Sequence, residues 1–168
     1  MALSLSLRPT VTDVAALLFG GVVGLLAWEF FVGTLVPEVF GGPRFGPVGL
    51  VGAVLNAVVG FNPGREVNEI LHYATGIVFY QVALFGLIAL TRRVAGVVLP
   101  TIVWGLAWGV ATWFIAMGVF ASIAGFGFML GFNAITWWSL AGHVVYAVTA
   151  VSVFAAARSL VGLRRQAA

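Results

Sequence analysis

The chain has 168 residues, of which 62% are hydrophobic and 8% are charged, and its formal net charge is +3. A soluble domain carries about 25% charged residues, so this composition excludes a water-soluble globular protein and makes lipid the main solvent. Cysteine is absent, which excludes disulfides, thiolate metal sites and iron–sulfur clusters, and the arginines form no basic stripe for nucleic acid.

Four segments are long and apolar enough to cross a bilayer, which takes about 20 residues. They cover residues 14–36, 67–90, 95–120 and 135–157, and the third has Pro100 in its first turns. We therefore predict an all-α fold: a polytopic membrane protein whose four transmembrane helices form one bundle and one domain over residues 1–168.

Two apolar stretches between the spans are too short to cross. In residues 47–64, PVGLVGAVLNAVVGFNPG, the helical part covers only about 20 Å. It predicts a short interfacial or re-entrant helix in the first outer loop, ended by the turn Asn62-Pro63-Gly64. We expect the Gly-rich loop at residues 122–136 to lie on the membrane surface or to cover the bundle mouth.

The arginines predict how the chain is oriented. With four crossings, six of the eight lie on one side of the membrane, and the positive-inside rule places both termini in the cytoplasm. We expect a multi-pass protein of a bacterial or archaeal inner (plasma) membrane, with the bilayer as its partner; a homo-oligomer or a membrane partner subunit stays open. The six arginines on the predicted cytoplasmic side are Arg8, Arg92, Arg93, Arg158, Arg164 and Arg165.

Four ionisable residues from three spans are predicted to lie at one depth, about 5–12 Å from the outer boundary. They are Glu29, Glu69, His72 and His143. Ionisable residues inside a membrane are costly and normally face the bundle interior or a wet cavity. An isolated charge at the depth of Glu29 costs several kcal/mol, so we expect this carboxylate to be paired, protonated or ligated.

Helical spacing predicts which residues share a face with these groups. Glu69, His72, Gly76 and Tyr80 form one stripe on the second span. Ser139, His143 and Tyr146 form another on the fourth, where Gly142 allows close helix approach. Tyr80, Ser139 and Tyr146 are the expected partners that support the ligating side chains.

Four pieces of the chain carry a family resemblance: WEFFVGTLVPEVFGGPR, HYATGIVFY, GLAWGVATWFIAMG and SLAGHVVYA. Together they resemble the YagU-like family of small bacterial inner-membrane proteins, a domain-of-unknown-function group. The resemblance is carried best by Trp28-Glu29 with Pro43-Arg44, by His72 and by Gly142-His143. It implies a four-span inner-membrane protein and brings no settled activity. Some relatives have a His on the third helix where this chain places Trp113, so a site that used that His would differ here.

The polar cluster favours two kinds of bound group. Glu69-x-x-His72 is a metal-ligand pattern of bundle helices, and with Glu29 and His143 it would suit one Zn, Fe or Mn ion. Alternatively, His72 and His143, on parallel spans at similar depth, are typical ligands of a b-type haem.

Two other classes of function compete with a bound cofactor. In a small proton-coupled or solute transporter, or a pH-responsive protein, Glu29 and the histidines would titrate. In a non-catalytic assembly subunit, the cluster would only fix helix packing. The nearly apolar inner half argues against a proton path through the membrane. Whether the protein is an enzyme stays open, because no substrate is implied.

Overall fold

The structure, a computed structural model, describes residues 9–166 and the side chains of residues 9–160. The fold is all-α, as predicted, with long helices α1 (Val11–Val39), α3 (Arg65–Ala95), α4 (Thr101–Ile123) and α5 (Ala134–Gln166). In the described part of the chain, each of these four is long and apolar enough to span a membrane. The chain is an integral membrane protein, and exposed apolar side chains on these helices face lipid.

The predicted short helix is present as α2 (Pro47–Val59), which has 13 residues. Proline stands at its start, where the missing N–H costs nothing, and Gly60 ends it with φ of 71°. At about 20 Å, α2 is too short to cross a bilayer.

The third span begins later than the sequence predicted. The helix starts at Thr101 with Pro100 as its N-cap, so residues 96–100 form a tight connection and not the first turns of the span. The reason is local: a proline disfavours helical backbone in the residue before it. Gly96, at φ of 64°, ends the preceding helix.

The long helices form an open arc and not a closed square. The order of packing is α3, α1, α5, α4, so that α1 and α5 are the two central helices. Helices α3 and α4 are neighbours in sequence, yet within residues 9–166 they do not pack along one another. Instead α2 contacts the start of α3 and the end of α4, bridging the space between them. We call this end of the bundle the α2 end. The opposite one, with the start of α1 and the end of α5, is the terminal end.

A partly buried ion pair joins α1 to α5 at the terminal end, with 8% of the Asp13 side chain and 25% of the Arg158 side chain exposed. Asp13 Oδ1 lies 2.6 Å from Nε of Arg158, and Asp13 also closes a capping box with Thr10. Three arginines that support the predicted orientation, Arg8, Arg164 and Arg165, lie outside the residues whose side chains the structure describes. The orientation therefore stays a prediction.

Three of the long helices contain widened π-helical turns toward the α2 end. They are Phe31–Val39 in α1, Thr75–Phe79 in α3 and Phe114–Phe120 in α4. Such turns are rare and occur frequently at functional sites. Here the α3 and α4 turns supply side chains to the same internal space.

The Gly-rich connection between α4 and α5 folds over the bundle. Its short 3-10 turn, Phe128–Phe132, has left-handed backbone at Met129, Leu130 and Gly131, with φ between 48° and 65°. Thr136 holds this turn by donating a hydrogen bond to the Met129 carbonyl oxygen over 2.6 Å. Met129 is buried against α4, so the loop closes the α2 end of the bundle.

Candidate functional site

A cavity of about 540 Å³ lies inside the arc, below α2. Its walls come from all four long helices, from α2 and from the loops at the α2 end, and most of them are apolar. Cavities of this size hold small-molecule ligands when a few polar groups converge on an apolar wall. The polar or aromatic side chains in the wall include Trp28, His72, Thr75, Tyr80, Ser139, His143 and Tyr146.

His143 presents one defined nitrogen to a ligand. Its Nδ1 lies 2.8 Å from the Ser139 carbonyl oxygen, one helical turn earlier, and 3.2 Å from the Ser139 hydroxyl. The carbonyl can only accept, so Nδ1 carries the proton and Nε2 keeps its lone pair. This is the tautomer in which histidine ligates through Nε2. The contact between Ser139 and His143 is observed, and the supporting role of Ser139 for a bound ligand stays a prediction.

His72 reaches the cavity from α3 and lies beside Glu29 of α1. Its Nε2 lies 3.6 Å from Oε1 of Glu29, which is too long for a hydrogen bond. In the part of the chain that the structure describes, this buried nitrogen has no hydrogen-bond partner. Glu29 thus has a histidine beside it, and 39% of its side chain is exposed. Its pairing or ligation stays a prediction.

The indole of Trp28 lies beside both histidines. Its ring centroid is 5.6 Å from that of His72 and 6.5 Å from that of His143. The close fit depends on Gly142, since a Cβ there would lie 2.9 Å from Trp28 Nε1 and 2.7 Å from a methyl group of Val32. Both histidines thus share one cavity and one aromatic neighbour, which agrees with their predicted common depth.

Two of the four predicted ligands, Glu29 and Glu69, are not in the cavity wall. Glu69 instead contacts a neighbour on its own helix. Its Oε1 accepts a hydrogen bond of 3.2 Å from the hydroxyl of Tyr73, one turn further along α3. Among the described residues, no group of three or more His, Asp or Glu side chains is assembled closely enough to hold a metal ion. Of the predicted four ligands, the structure places only Glu29 and His72 side by side.

Tyr146 and Tyr80 line the cavity but do not contact the histidines through their hydroxyls. The Tyr146 hydroxyl donates to the carbonyl oxygen of Gly76 in the α3 π turn and accepts from Nε2 of Gln81. The Tyr80 ring packs edge-on against Tyr146 and Trp108. These contacts tie α3 to α5 and α4 and form the floor of the cavity.

Sequence reasoning singled out the histidines but missed part of the site. Gln81 was not among the predicted site residues, yet it is 1% exposed and joins the Tyr146 network. A buried amide in a span was the available signal. Trp113 also has a structural role, because its indole N–H donates to the Thr136 carbonyl oxygen.

Comparisons of the chain with protein-family models, with curated proteins and with solved structures return no match.

Proposed function

We propose that this integral membrane protein binds b-type haem in the cavity below α2, where His143 would hold the haem iron and His72 is the second histidine of the wall. One observation supports this most: the only two histidines of the chain line one cavity of about 540 Å³. An apolar pocket with aromatic walls and one or two histidines is the usual protein environment of a b-type haem.

Haem is favoured over a bare metal ion because it needs fewer protein ligands. One or two histidines complete a haem iron, whereas a structural or catalytic ion takes three or four side chains. A site built from Glu29, Glu69, His72 and His143 would require Glu69 to leave Tyr73 and turn inward. The metal ion is therefore an outcome to be tested beside haem.

The long apolar segment toward the terminal end supports binding over conduction. From Tyr146 to Arg158, about 18 Å along α5, the buried side chains are apolar. A proton or solute pathway would need polar groups or water over this distance. These buried residues are Ala147, Ala150, Val151, Phe154 and Ala155.

The test is an absorption spectrum with elemental analysis on detergent-purified protein, before and after addition of haem. We expect one haem per chain and a Soret band that His143→Ala removes and His72→Ala weakens. Added imidazole should restore the band in His143→Ala, because the small base can occupy the space that the side chain left. A matched control is Trp137→Phe on the exposed face of α5, which should bind haem normally.

Other results would redirect the proposal. A stoichiometric transition metal without a Soret band, lost in both histidine variants, would favour the metal ion. A folded protein that is colourless, metal-free and unable to bind added haem would overturn cofactor binding and favour transport or assembly. Three further parts of the proposal rest on the sequence. They are membership of the YagU-like family, an inner-membrane location with cytoplasmic termini, and a homo-oligomer or partner subunit.

A further inference from the structure

We infer that the cavity opens sideways into the bilayer, between α3 and α4 and beneath α2, so that its ligand is an amphiphile that arrives dissolved in lipid. We call this opening the lateral mouth, and we assign to its border four residues that line the cavity: Leu55, Thr75, Tyr80 and Phe120. The inference deepens the proposed function, on which it rests for the existence of a ligand. The opening itself depends only on the packing of the helices.

Three of the four seams between long helices are closed by backbone contact. A Cβ added at Gly20 of α1 would lie 2.6 Å from the Ala150 carbonyl oxygen of α5. A Cβ added at Gly109 of α4 would lie 2.7 Å from Cα of Val144 in α5. A Cβ added at Gly21 of α1 would lie 2.8 Å from the Ile77 carbonyl oxygen of α3. No ligand can pass where only a glycine fits between two backbones.

The fourth seam, between α3 and α4, is built differently. These helices do not pack along one another in the described part of the chain, and one aromatic contact bridges them: Tyr80 meets Trp108 with ring centroids 6.2 Å apart. Toward the terminal end from this contact, Leu84, Ile88 and Trp104 are buried and fill the seam. The hollow part of the seam therefore begins above Tyr80 and extends to α2.

An apolar roof separates the cavity from water at the α2 end. Helix α2 faces the cavity with one stripe, Leu50, Val51 and Val54, at the spacing of a single helical face. The loops add Phe45, Phe126 and Leu130 to the same lining. Asn68 fixes the roof by donating a 2.9 Å hydrogen bond to Asn62 Oδ1 in the turn after α2.

The surroundings of the mouth are those of a lipid-facing surface. Phe79 on α3 and Val119 on α4, beside the mouth, are 60% and 41% exposed. Ala116 in the cavity wall lies about 10 Å along α4 from Ile123, the last residue of that helix. This distance places the cavity at a depth within one leaflet of the bilayer. A ligand that enters here must first dissolve in the bilayer, with an apolar body for the walls and a polar or metal-bearing centre for His143.

Thiol labelling tests the mouth without reference to any ligand, and the cysteine-free chain makes each introduced thiol unique. Ala116→Cys places a thiol in the cavity wall, Val82→Cys places one on the lipid-facing side of α3, and Arg44→Cys places one in water. Each variant is reconstituted into proteoliposomes that are permeabilised, so that reagent reaches both faces of the membrane. It then reacts with neutral methyl methanethiosulfonate or with the charged trimethylammonium-ethyl analogue. The readout is the ratio of the two labelling rates.

A lateral mouth predicts that Ala116→Cys has the same neutral-to-charged ratio as Val82→Cys, at least tenfold above that of Arg44→Cys. Thr75→Phe, which narrows the mouth, should slow neutral labelling of Ala116→Cys and leave Val82→Cys unchanged. A ratio like that of Arg44→Cys means entry from water and overturns the inference, as does failure of the neutral reagent to label Ala116→Cys. Haem titration is measured separately, so a chain that binds no haem can still show the lateral mouth.

Discussion

The hydroxyl of Tyr146 in α5 donates a hydrogen bond to the backbone carbonyl oxygen of Gly76, which lies in the π turn of α3. The same hydroxyl accepts a 2.7 Å hydrogen bond from Nε2 of Gln81. Helices α3 and α5 are not sequence neighbours, and α1 packs against both of them. This buried network therefore holds one side of the cavity at a defined distance from His143.

Replacing Tyr146 by phenylalanine should destabilise the bundle by about 1–2 kcal/mol. The change leaves the Gln81 amide without its acceptor, and in membrane proteins such interhelical hydrogen bonds reach about 1.7 kcal/mol. The measurement is the free energy of unfolding in detergent. Tyr73→Phe is the matched control, since this exposed hydroxyl reaches only Glu69 over 3.2 Å and its loss should cost little. Equal losses in the two variants would contradict the network's role.

A methyl group at Gly109 should destabilise the α4–α5 seam. A Cβ there would lie 2.7 Å from Cα of Val144 and 2.9 Å from the carbonyl oxygen of His143, and backbone cannot move aside cheaply. We expect Gly109→Ala to cost about 1–3 kcal/mol in the free energy of unfolding. Because the carbonyl oxygen of His143 is one of the clashing atoms, the haem affinity of Gly109→Ala should fall as well.

Gly86 in α3 provides the opposite control. Within the described residues, nothing lies within 4 Å of a Cβ at this position, so Gly86→Ala meets no obstacle. Alanine should stabilise the helix by about 0.5–1 kcal/mol, because glycine loses more backbone freedom on folding. If Gly109→Ala were as stable as Gly86→Ala, the seam would not be closed as the geometry indicates.

The ion pair between Asp13 and Arg158 should contribute more than the pair between Glu38 and Arg44, although both are 2.6 Å long. The Asp13 side chain is 8% exposed, whereas that of Glu38 is 56% exposed. Asp13→Asn should cost about 1–3 kcal/mol, since it weakens a partly buried pair and a capping box. Glu38→Gln should cost less than about 0.5 kcal/mol, because water screens an exposed pair.

Thermal unfolding at low and high salt separates the two pairs. The loss in Asp13→Asn should change little with salt, while the small effect of Glu38→Gln should vanish at high ionic strength. A salt-sensitive loss for Asp13→Asn would mean that water reaches the terminal end of α1 and α5.

The roof over the cavity should loosen when Asn68 is replaced by alanine. The change removes the hydrogen bond to Asn62, and the backbone amides of α2 should exchange with solvent about fivefold faster, which corresponds to ~1 kcal/mol. Hydrogen exchange measured by mass spectrometry on α2 peptides gives this rate. Asn56→Ala, on the exposed side of α2, serves as the control. Equal exchange in both variants would show that Asn68 does not hold the roof.

The positions of the spans and the common depth of the histidines could be predicted from the sequence alone. Long apolar runs must be helical in lipid, because every backbone polar group needs a partner within the segment. The ionisable residues stand out in such runs, which is why Glu29, Glu69, His72 and His143 could be named as candidates from the sequence. Pro100 marked a helix start that the apolar run had hidden, because hydropathy does not register backbone restrictions.

Only the tertiary structure decided how these helices are arranged and where Glu69 points. Lipid tails are as apolar as leucine, so hydropathy does not say which helix faces pack together or which seam stays open. That choice depends on shape: glycines such as Gly20 and Gly109 let α5 approach its two neighbours, while Tyr80 and Trp108 keep α3 and α4 apart. The sequence thus determined the spans and their polar residues, and close packing at a few small side chains decided that both histidines share one cavity.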